Sequence, residues 1–275
     1  MTAAAAANAG IAAARGAFIQ LLNNDAEVTE GWIEAGLAAF EHEDVGAVAP
    51  LVLIRSDPTR VDSAGDCYAF LGWPAKRGHG EPVGRWSQRP AETVFGASGS
   101  SAFYRCDVLK RLGGFDPSFG SYYEDVDLAF RLRWAGYRCV YSPGCVILHE
   151  VSASYDHARP ELQRRMSRNA ERIFWSCLPT AWLAVAIVPH LAWTLAQGAA
   201  RLVRGRARPF VLGKLDAMRE GPQLARRRRV HQGLAREART RPRFPLEILP
   251  SRQLLSHLRR PRLGTSSRGV NRPRA

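Results

Sequence analysis

Ten consecutive apolar residues, VGAVAPLVLI at 45–54, constrain the fold of this chain more than any other feature and predict a strand. A second apolar run, FIQLL at 18–22, is bounded by a polar cluster, as buried parallel strands are. Between the two, TEGWIEAGLAAFEH at 29–42 has helical periodicity with Thr29 as a plausible N-cap, and a short helix at 8–16 precedes them. This alternation of helices and strands predicts an α/β fold.

The segment 55–92 is rich in Gly, Pro, Asp and Arg and has few periodic runs. A long irregular stretch of this kind usually has a function, so we predict a loop on the side of a binding site. The elements predicted after it are strands near 93–98 and 101–105, a short helix with N-cap Asp107, a helix from near Glu124 to Gly136, and two short β segments within 139–150.

Basic residues are concentrated near the C-terminal end. Residues 201–275 contain 21 Lys and Arg but 4 Asp and Glu, whereas residues 1–200 contain 18 and 21. Such a segment binds nucleic acid or the anionic inner leaflet of a membrane, unless it is a solvated end without a partner. It lacks interleaved aromatic residues and a helix-turn-helix pattern, so we predict no nucleic acid partner.

The uncharged segment 173–200 lies just before this basic region. Its length is sufficient to span a bilayer, but Pro179, Pro189 and His190 favour an interfacial or re-entrant helix pair, with a buried soluble helix as the third alternative. The chain starts without a secretory signal pattern, and its five cysteines form no Cys-x-x-Cys pair. These features predict a reduced, cytoplasmic protein at the inner face of the plasma membrane, bound to its anionic surface.

The polar triplet Asn23-Asn24-Asp25 directly follows the predicted strand 18–22. In open α/β sheets, ligands bind at the carboxyl ends of strands, and a carboxylate and an amide two residues apart can face one divalent cation. The same residue types are also common in simple turns. The sequence therefore predicts Asp25 as a metal ligand, assisted by Asn23.

Three carboxylates, Glu124, Asp125 and Asp127, open the predicted helix 124–136. Acidic residues at this position can merely complement the helix dipole. A carboxylate close to a metal-bound group can also act as a general base, and we predict Asp125 in that role, with Glu124 and Asp127 orienting it or the substrate.

The segment 96–137, GASGSSAFYRCDVLKRLGGFDPSFGSYYEDVDLAFRLRWAGY, resembles the acceptor-side signature of family 2 glycosyltransferases, especially the rhamnosyltransferase-like branch. The resemblance extends over roughly residues 8–235 and includes Arg168-Asn169. It implies a GT-A fold, the Rossmann-like fold of nucleotide-diphospho-sugar transferases. It also implies metal-dependent, inverting transfer of a sugar from a nucleotide-sugar donor to a cell-envelope glycan or a lipid-linked acceptor.

The resemblance implies roles for single residues. Asn23-Asn24-Asp25 occupies the Asp-x-Asp position, which binds the donor through Mg²⁺ or Mn²⁺, with Asn23 in place of the first Asp, and Asp125 occupies the position of the catalytic base. His149 occupies a position near the donor diphosphate. Acceptor contacts are expected from the Gly-x-Ser turn and the Gly-Gly-Phe-Asp loop, at Gly96, Ser98, Gly114, Phe115 and Asp116.

The front of the chain departs from the family pattern, which has three further strands and an acidic residue that contacts the nucleotide base. We therefore expect a GT-A core at 1–160 that is incomplete at its N-terminus, a helical membrane-associated extension at 161–235, and a basic, disordered tail at 236–275. The alternative is a non-catalytic fragment or a degenerate relative that binds the acceptor or the membrane.

Overall fold

Strands and helices alternate along residues 2–150 and 159–247, which are the residues that the computed structural model of the chain describes. The strands are β1 (Phe18–Leu22), β2 (Ala26–Val28), β3 (Val45–Ile54), β4 (Asp57–Ser63), β5 (Asp66–Ala69), β6 (Trp73–Lys76), β7 (Glu92–Val94), β8 (Ser101–Arg105), β9 (Arg138–His149) and β10 (Leu246–Glu247). The helices are α1 (Ala3–Ala13), α2 (Trp32–Ala38), α3 (Gly84–Ser87), α4 (Cys106–Arg111), α5 (Glu124–Trp134), α6 (Pro160–Cys177), α7 (Thr180–Val203), α8 (Ala207–Arg219) and α9 (Gly221–Glu237). The predicted α/β class is confirmed.

The main sheet is mixed, with the order β1-β8-β3-β9-β2 and with β4 beside β3 and β7 beside β9. β3 and β9 are parallel, and β3 is almost completely buried, as its ten apolar residues predict. The prediction of a buried parallel strand at 18–22 is wrong in part. β1 is the edge strand, half-buried, and pairs antiparallel with β8, because an apolar run specifies a strand but not its direction.

Two predicted segments are more regular than expected. The segment 55–92, predicted as an irregular loop, contains β4, β5, β6, the short helix α3 and the start of β7. Short polar strands give no clear alternation, which is why the pattern was not recognised. The two β segments predicted after residue 138 form one strand, β9, with a register shift where Pro50 pairs with Ser142 and Leu51 with Val146.

The helix α7 packs one face against the protein. It continues through Pro189, and His190 is 3% exposed, with Nδ1 2.6 Å from the Leu71 carbonyl oxygen and Nε2 3.1 Å from a Glu171 carboxylate oxygen. Lys214 donates to the same carboxylate at 2.5 Å. Burial raises the pKa of Glu171, but His190 and Lys214 lower it to about 2. His190, which argued against a membrane-spanning helix, therefore anchors α7 to α6 and, through Glu171 and Lys214, to α8.

The opposite face of α7 is apolar and exposed. Val188, Leu195 and Leu202 are 74%, 74% and 70% exposed and lie on one stripe of the helix. By length and composition α7 could cross a membrane, and 17% of its most apolar window is buried.

The basic C-terminal region is only partly a free surface. Arg227 pairs with Asp116 and Asp127, and Arg228 donates to the carbonyl oxygens of Trp175 and Leu178, at 3.2 and 2.8 Å. The predicted disordered tail also begins too early. Phe244 packs on Trp134 with ring centroids 5.0 Å apart, and β10 pairs with β5. The remainder of the predicted tail, 248–275, lies outside the described residues.

Candidate active site

Asp25 follows the edge strand β1 and faces a histidine at the end of β9. The chain turns at the exposed Asn23 and Asn24, and β2 then pairs antiparallel with β9. This pairing brings Asp25 Oδ1 to 3.3 Å from His149 Nε2. The Asn23 N–H donates to the carbonyl oxygen of Ser100 at 3.1 Å, which fixes the turn against β8. The structure therefore brings together two residues that were predicted separately.

A buried carboxylate that the sequence analysis did not single out orients the His149 ring. Asp62 in β4 is fully buried, and its Oδ2 lies 3.0 Å from His149 Nδ1. Lys76 donates to both Asp62 oxygens at 2.9 and 2.7 Å, and His79 Nδ1 lies 3.2 Å from Asp62 Oδ1. Burial raises the pKa of Asp62, but the two histidines and Lys76 lower it below its ordinary value overall. Asp62 is therefore an ionised acceptor for the Nδ1 proton of His149.

These contacts fit a divalent cation. When His149 donates its Nδ1 proton to Asp62, its Nε2 lone pair points at an Asp25 oxygen, and two acceptors 3.3 Å apart are stabilised by a cation between them. Two ligands at about 2.1 Å from one octahedral ion are about 3 Å apart. A carboxylate behind the imidazole is the usual partner of a metal-bound histidine. The donor set therefore fits Mg²⁺ or Mn²⁺, with Asn23 adjacent in the chain.

A second centre lies at the first turn of α5. Asp125 Oδ2 accepts from the Gly99 N–H at 2.9 Å, and its Oδ1 accepts from the Val126 N–H at 2.8 Å. A Cβ on Gly99 would lie 3.0 Å from the Asp125 carboxylate, so glycine permits this close approach. The hydroxyl groups of Ser98 and Ser100, 3.1 Å apart, close the same turn. The Gly/Ser turn thus positions the carboxylate that the sequence predicts as the base.

Four carboxyl groups and one lysine connect the two centres electrostatically. Burial raises the pKa of Asp125, and burial together with the charge of Asp125 raises the pKa of Glu124 to about 8. Burial and Asp125 also raise the pKa of Asp66 well above its ordinary value. Lys76 is opposite Asp66 in the β5–β6 pair. Its charge helps to lower the pKa of Asp62, and it partly offsets the rise in the pKa of Asp66 and of Asp125. Lys76 therefore acts on the metal-side and base-side carboxylates together.

Two residues with left-handed backbone precede the acidic pair. Tyr122 has φ 71° and Tyr123 has φ 75°, and within the described residues they are the non-glycine residues with positive φ. This conformation costs about 1–3 kcal/mol per residue with a side chain. The buried Asn169 of α6 compensates part of the cost, because its Nδ2 donates to the carbonyl oxygens of Phe119 and Tyr122 at 3.0 and 2.8 Å. The start of α5 is therefore fixed by a contact from α6.

Asp127 and Asp116 do not join this pair. The Asp127 oxygens accept from Arg131 Nε at 2.7 Å and from Arg227 Nη2 at 2.5 Å, and Arg227 also pairs with Asp116. Burial raises the pKa of Asp127, but the two arginines lower it overall. Because an arginine of α5 and an arginine of α9 bind the two Asp127 oxygens, these contacts do not join Asp127 to Asp125, and its role in orienting the base stays a prediction. Asp116 belongs to the same ion-pair network, which joins α9 to α5 and to the loop that precedes α5.

Asp127 also lies beside Cys177 and His231, with ligand atoms of the three residues within 4.8 Å of one another. Two guanidinium groups already compensate the charge of Asp127, and burial raises the pKa of the Cys177 thiol to about 12. Both effects disfavour metal binding, so we interpret this group as a packed polar cluster.

Three of the residues predicted to contact the acceptor have structural contacts. A Cβ on Gly96 would lie 2.6 Å from the Ala129 Cβ, so this glycine permits the segment after β7 to pack closely on α5. The Gly114 carbonyl oxygen accepts from Arg131 at 2.7 Å. Phe115 is 3% exposed and packs on Tyr104 with ring centroids 6.3 Å apart. These three residues and Ser98 are buried, and Ser98 lies in the Gly/Ser turn that positions Asp125.

Sequence reasoning missed Asp62, Asp66 and Lys76, and it gave Asn169 no role. A signal for the two aspartates existed, because both flank the turn at Gly65, within the segment that was predicted to be functional. A single lysine in a hairpin gives no signal. Asn169 was part of the family resemblance, but its partners are 47 or more positions away in the chain.

Comparison with known proteins identifies the family of this chain. Residues 18–207 match the family described as glycosyl transferase family group 2. The pre-mycofactocin glycosyltransferase of Mycobacterium tuberculosis (strain ATCC 25618 / H37Rv) is 32% identical over 148 residues, which cover 54% of this chain and 30% of that protein. The N-acetylglucosaminyl-diphospho-decaprenol L-rhamnosyltransferase of the same strain is 32% identical over 156 residues, which cover 50% of this chain and 48% of that protein.

Among solved structures, the crystal structure of GalNAc-T7 with UDP, GalNAc and Mn²⁺ is similar with a TM-score of 0.48 and 13% identity, over 64% of this chain and 36% of that one. The chain spans less than half the length of the two curated relatives described above. The family match covers both the metal-side and the base-side centre, and the mixed α/β sheet agrees with the GT-A fold that the resemblance implied. The chain belongs to glycosyl transferase family group 2.

Proposed function

We propose that this chain forms the metal and acceptor side of an enzyme that transfers a sugar from a nucleotide-diphospho-sugar to a hydroxyl group of an acceptor. The observation that carries the proposal is the contact of 3.3 Å between Asp25 Oδ1 and His149 Nε2, joined through Asp62 and Lys76 to the environment of Asp125. A cation site next to an elevated-pKa carboxylate is the arrangement that such a transfer needs.

In this proposal Asp25 and His149 hold Mg²⁺ or Mn²⁺, with Asn23 adjacent, and the ion would neutralise the charge that develops on the leaving diphosphate. Asp62 fixes the His149 ring so that Nε2 faces the ion. Asp125 accepts the proton of the acceptor hydroxyl, and the Gly99 N–H holds the carboxylate in place. The acceptor oxygen attacks the anomeric carbon as the bond from that carbon to the diphosphate oxygen breaks, so the configuration inverts. Glu124 lies beside Asp125, and burial together with the charge of Asp125 raises the pKa of Glu124.

We place the enzyme at the inner face of the plasma membrane with a lipid-linked acceptor. The apolar stripe of α7 supports this location, since Val188, Leu195 and Leu202 are exposed while His190 anchors the opposite face. A helix bound on one face fits an in-plane, interfacial position better than a spanning one. The relative named as a rhamnosyltransferase acts, by its name, on a sugar linked to diphospho-decaprenol, which is the class of acceptor that we propose.

The proposal is tested with the full chain, a panel of nucleotide-diphospho-sugars and Mn²⁺. Isothermal titration should show binding of a donor that depends on the metal, and NMR of the transfer product should show an inverted anomeric configuration. If no donor binds in the presence of Mn²⁺ to folded protein, or if binding is equal in EDTA, the function is wrong and the non-catalytic alternative applies.

A further inference from the structure

A cleft of about 490 Å³ lies between α6 and α8, outside the site described above. Its walls contain the four arginines Arg164, Arg165, Arg168 and Arg219, together with three carboxylates. We propose that this cleft binds the diphosphate group of a lipid-linked acceptor. The inference rests on the proposed function and adds the site for the anionic part of the acceptor.

The ion pairs in the cleft leave positive charge uncompensated. Arg164 binds Asp216 through two hydrogen bonds of 2.5 and 2.8 Å, and the neighbouring Arg172 pairs in the same way with Glu220. Within the residues that the structure describes, Arg165 forms no hydrogen bond or ion pair. Arg165 and Arg172 lie close enough to Arg168 that, after burial, their charges lower its pKa. Like charges gathered beside each other in this way are stabilised by a bound anion.

The cleft lies beside the loop that precedes α5. The guanidinium carbon of Arg165 is 3.4 Å from the position of a Cβ on Gly120, and Arg168 and Arg172 contact the Ser118 carbonyl oxygen at 3.3 and 2.8 Å. The charge of Arg165 also partly offsets the rise in the pKa of Glu124, which lies next to the proposed base. An anion bound by Arg165 and Arg168 is thus one loop away from the residue that activates the acceptor hydroxyl.

The chemistry of the cleft selects the occupant. Guanidinium groups bind phosphoryl oxygens through paired hydrogen bonds. The donor diphosphate is assigned to the cation at Asp25 and His149, so the cleft is available for a second diphosphate. The same helix α8 exposes three apolar side chains, Val211, Leu215 and Met218. An anion beside an apolar, membrane-facing surface matches a lipid with a diphosphate head.

Geranyl diphosphate in EDTA is the probe, because without a metal the donor site does not bind a diphosphate. Titration calorimetry should show binding to the wild-type chain, no binding of geraniol, and weaker binding of inorganic pyrophosphate, which lacks the lipid. Arg165→Gln, which removes no hydrogen bond or ion pair among the described residues, should weaken binding by about tenfold or more, since charge-assisted bonds are lost. The matched control is Arg229→Gln, an exposed arginine of α9 outside the cleft, and it should bind as the wild type does.

Three outcomes would overturn the inference: unchanged affinity in Arg165→Gln, equal loss in Arg229→Gln, or pyrophosphate binding as tightly as geranyl diphosphate. The circular dichroism spectrum of Arg165→Gln must match that of the wild type, and Arg165→Lys, which keeps the charge, should recover part of the affinity. Binding of the donor with Mn²⁺ is measured separately on the wild type. Its absence contradicts the proposed function, whereas its presence with an unaffected Arg165→Gln contradicts only the cleft.

Discussion

The side-chain amide of Asn169 donates a hydrogen bond of 2.8 Å to the carbonyl oxygen of Tyr122, 47 positions earlier in the chain. Tyr122 and Tyr123 are in the left-handed region, immediately before Glu124 and Asp125. The helix α6 therefore stabilises the unfavourable backbone that positions the proposed base. Through this contact α6 supports the proposed active site, although none of its residues is proposed to react.

Asn169→Asp should destabilise the protein and impair catalysis. The substitution keeps the shape but replaces the donor by oxygens that face carbonyl groups, and an unsatisfied buried polar group costs about 1–3 kcal/mol. Thermal unfolding should show a lower Tm, and kcat should fall more than the affinity for the donor. Gln223→Ala, at an exposed position of α9, is the control. An Asn169→Asp variant with wild-type Tm would show that the contact does not stabilise the loop.

Asp125→Asn should reduce transfer by about 10²–10⁴-fold, the usual contribution of a general base. Binding of the donor with Mn²⁺ should change little, because the base acts on the acceptor. Steady-state kinetics and calorimetry on one preparation separate the two effects. Asp107→Asn, an exposed acidic residue at the start of α4, should leave both unchanged. Wild-type turnover in Asp125→Asn would exclude this residue as the base.

Asp62→Asn should weaken Mn²⁺ binding by about 10–100-fold although Asp62 does not contact the ion, because the ring of His149 loses its orienting partner. Asp25→Ala should weaken metal and donor binding together, since the ion bridges both. Mn²⁺ titration followed by electron paramagnetic resonance measures the metal without any turnover. Asp57→Asn, an exposed carboxylate of the same strand, is the control. Unchanged Mn²⁺ affinity in Asp62→Asn would contradict the orienting role.

Glu124→Gln should stabilise the protein at alkaline pH. The folded protein raises the pKa of Glu124 from 4.5 to about 8, so the fold favours its protonated form. The stability that this preference contributes is complete below pH 4.5 and is lost as the pH rises to about 8. The gain in Tm of Glu124→Gln over wild type should therefore be larger at pH 9 than at pH 4.5. Glu34→Gln, exposed on α2, should show no such difference, and an equal gain at both pH values would contradict the raised pKa.

Membrane association should depend on the apolar face of α7. Val188→Asp with Leu195→Asp places two charges in the stripe and should abolish flotation with anionic vesicles, whereas Val230→Asp on α9 should not. Arg206→Gln with Arg208→Gln should weaken binding mainly at low salt, because the attraction of exposed charges is screened. Neutralising all four arginines from Arg226 to Arg229 would not test the surface charge alone, since Arg227 and Arg228 have internal partners. Flotation that is insensitive to the α7 substitutions would disprove the interface.

The sequence by itself determined the α/β class, the position of β3, the turn at Asn23-Asn24-Asp25 and the helix that begins at Glu124. Each depends on local information, because a continuous apolar run or a 3.6-residue period specifies the element in which it lies. The metal role of Asp25 and the position of His149 near the diphosphate were predicted separately, the latter only through the family resemblance, and the contact between the two was not predicted. The direction of β1 was not predictable because its pairing depends on β8, a partner distant in the chain. The short strands within 55–92 were not predictable because they show no clear alternation.

Only the tertiary structure decided which charged residues have catalytic surroundings. Glu124, Asp125 and Asp127 are equivalent by sequence, yet Asp125 is bound by the Gly99 N–H while Asp127 is bound by two arginines, one from a helix 100 positions later. Arg227 and Arg229 are likewise indistinguishable in a run of four arginines, but one is an internal ion pair and the other is exposed. The charge of a side chain is fixed by its chemical type, whereas its pKa and its partner depend on burial and on neighbours that the folded chain brings together.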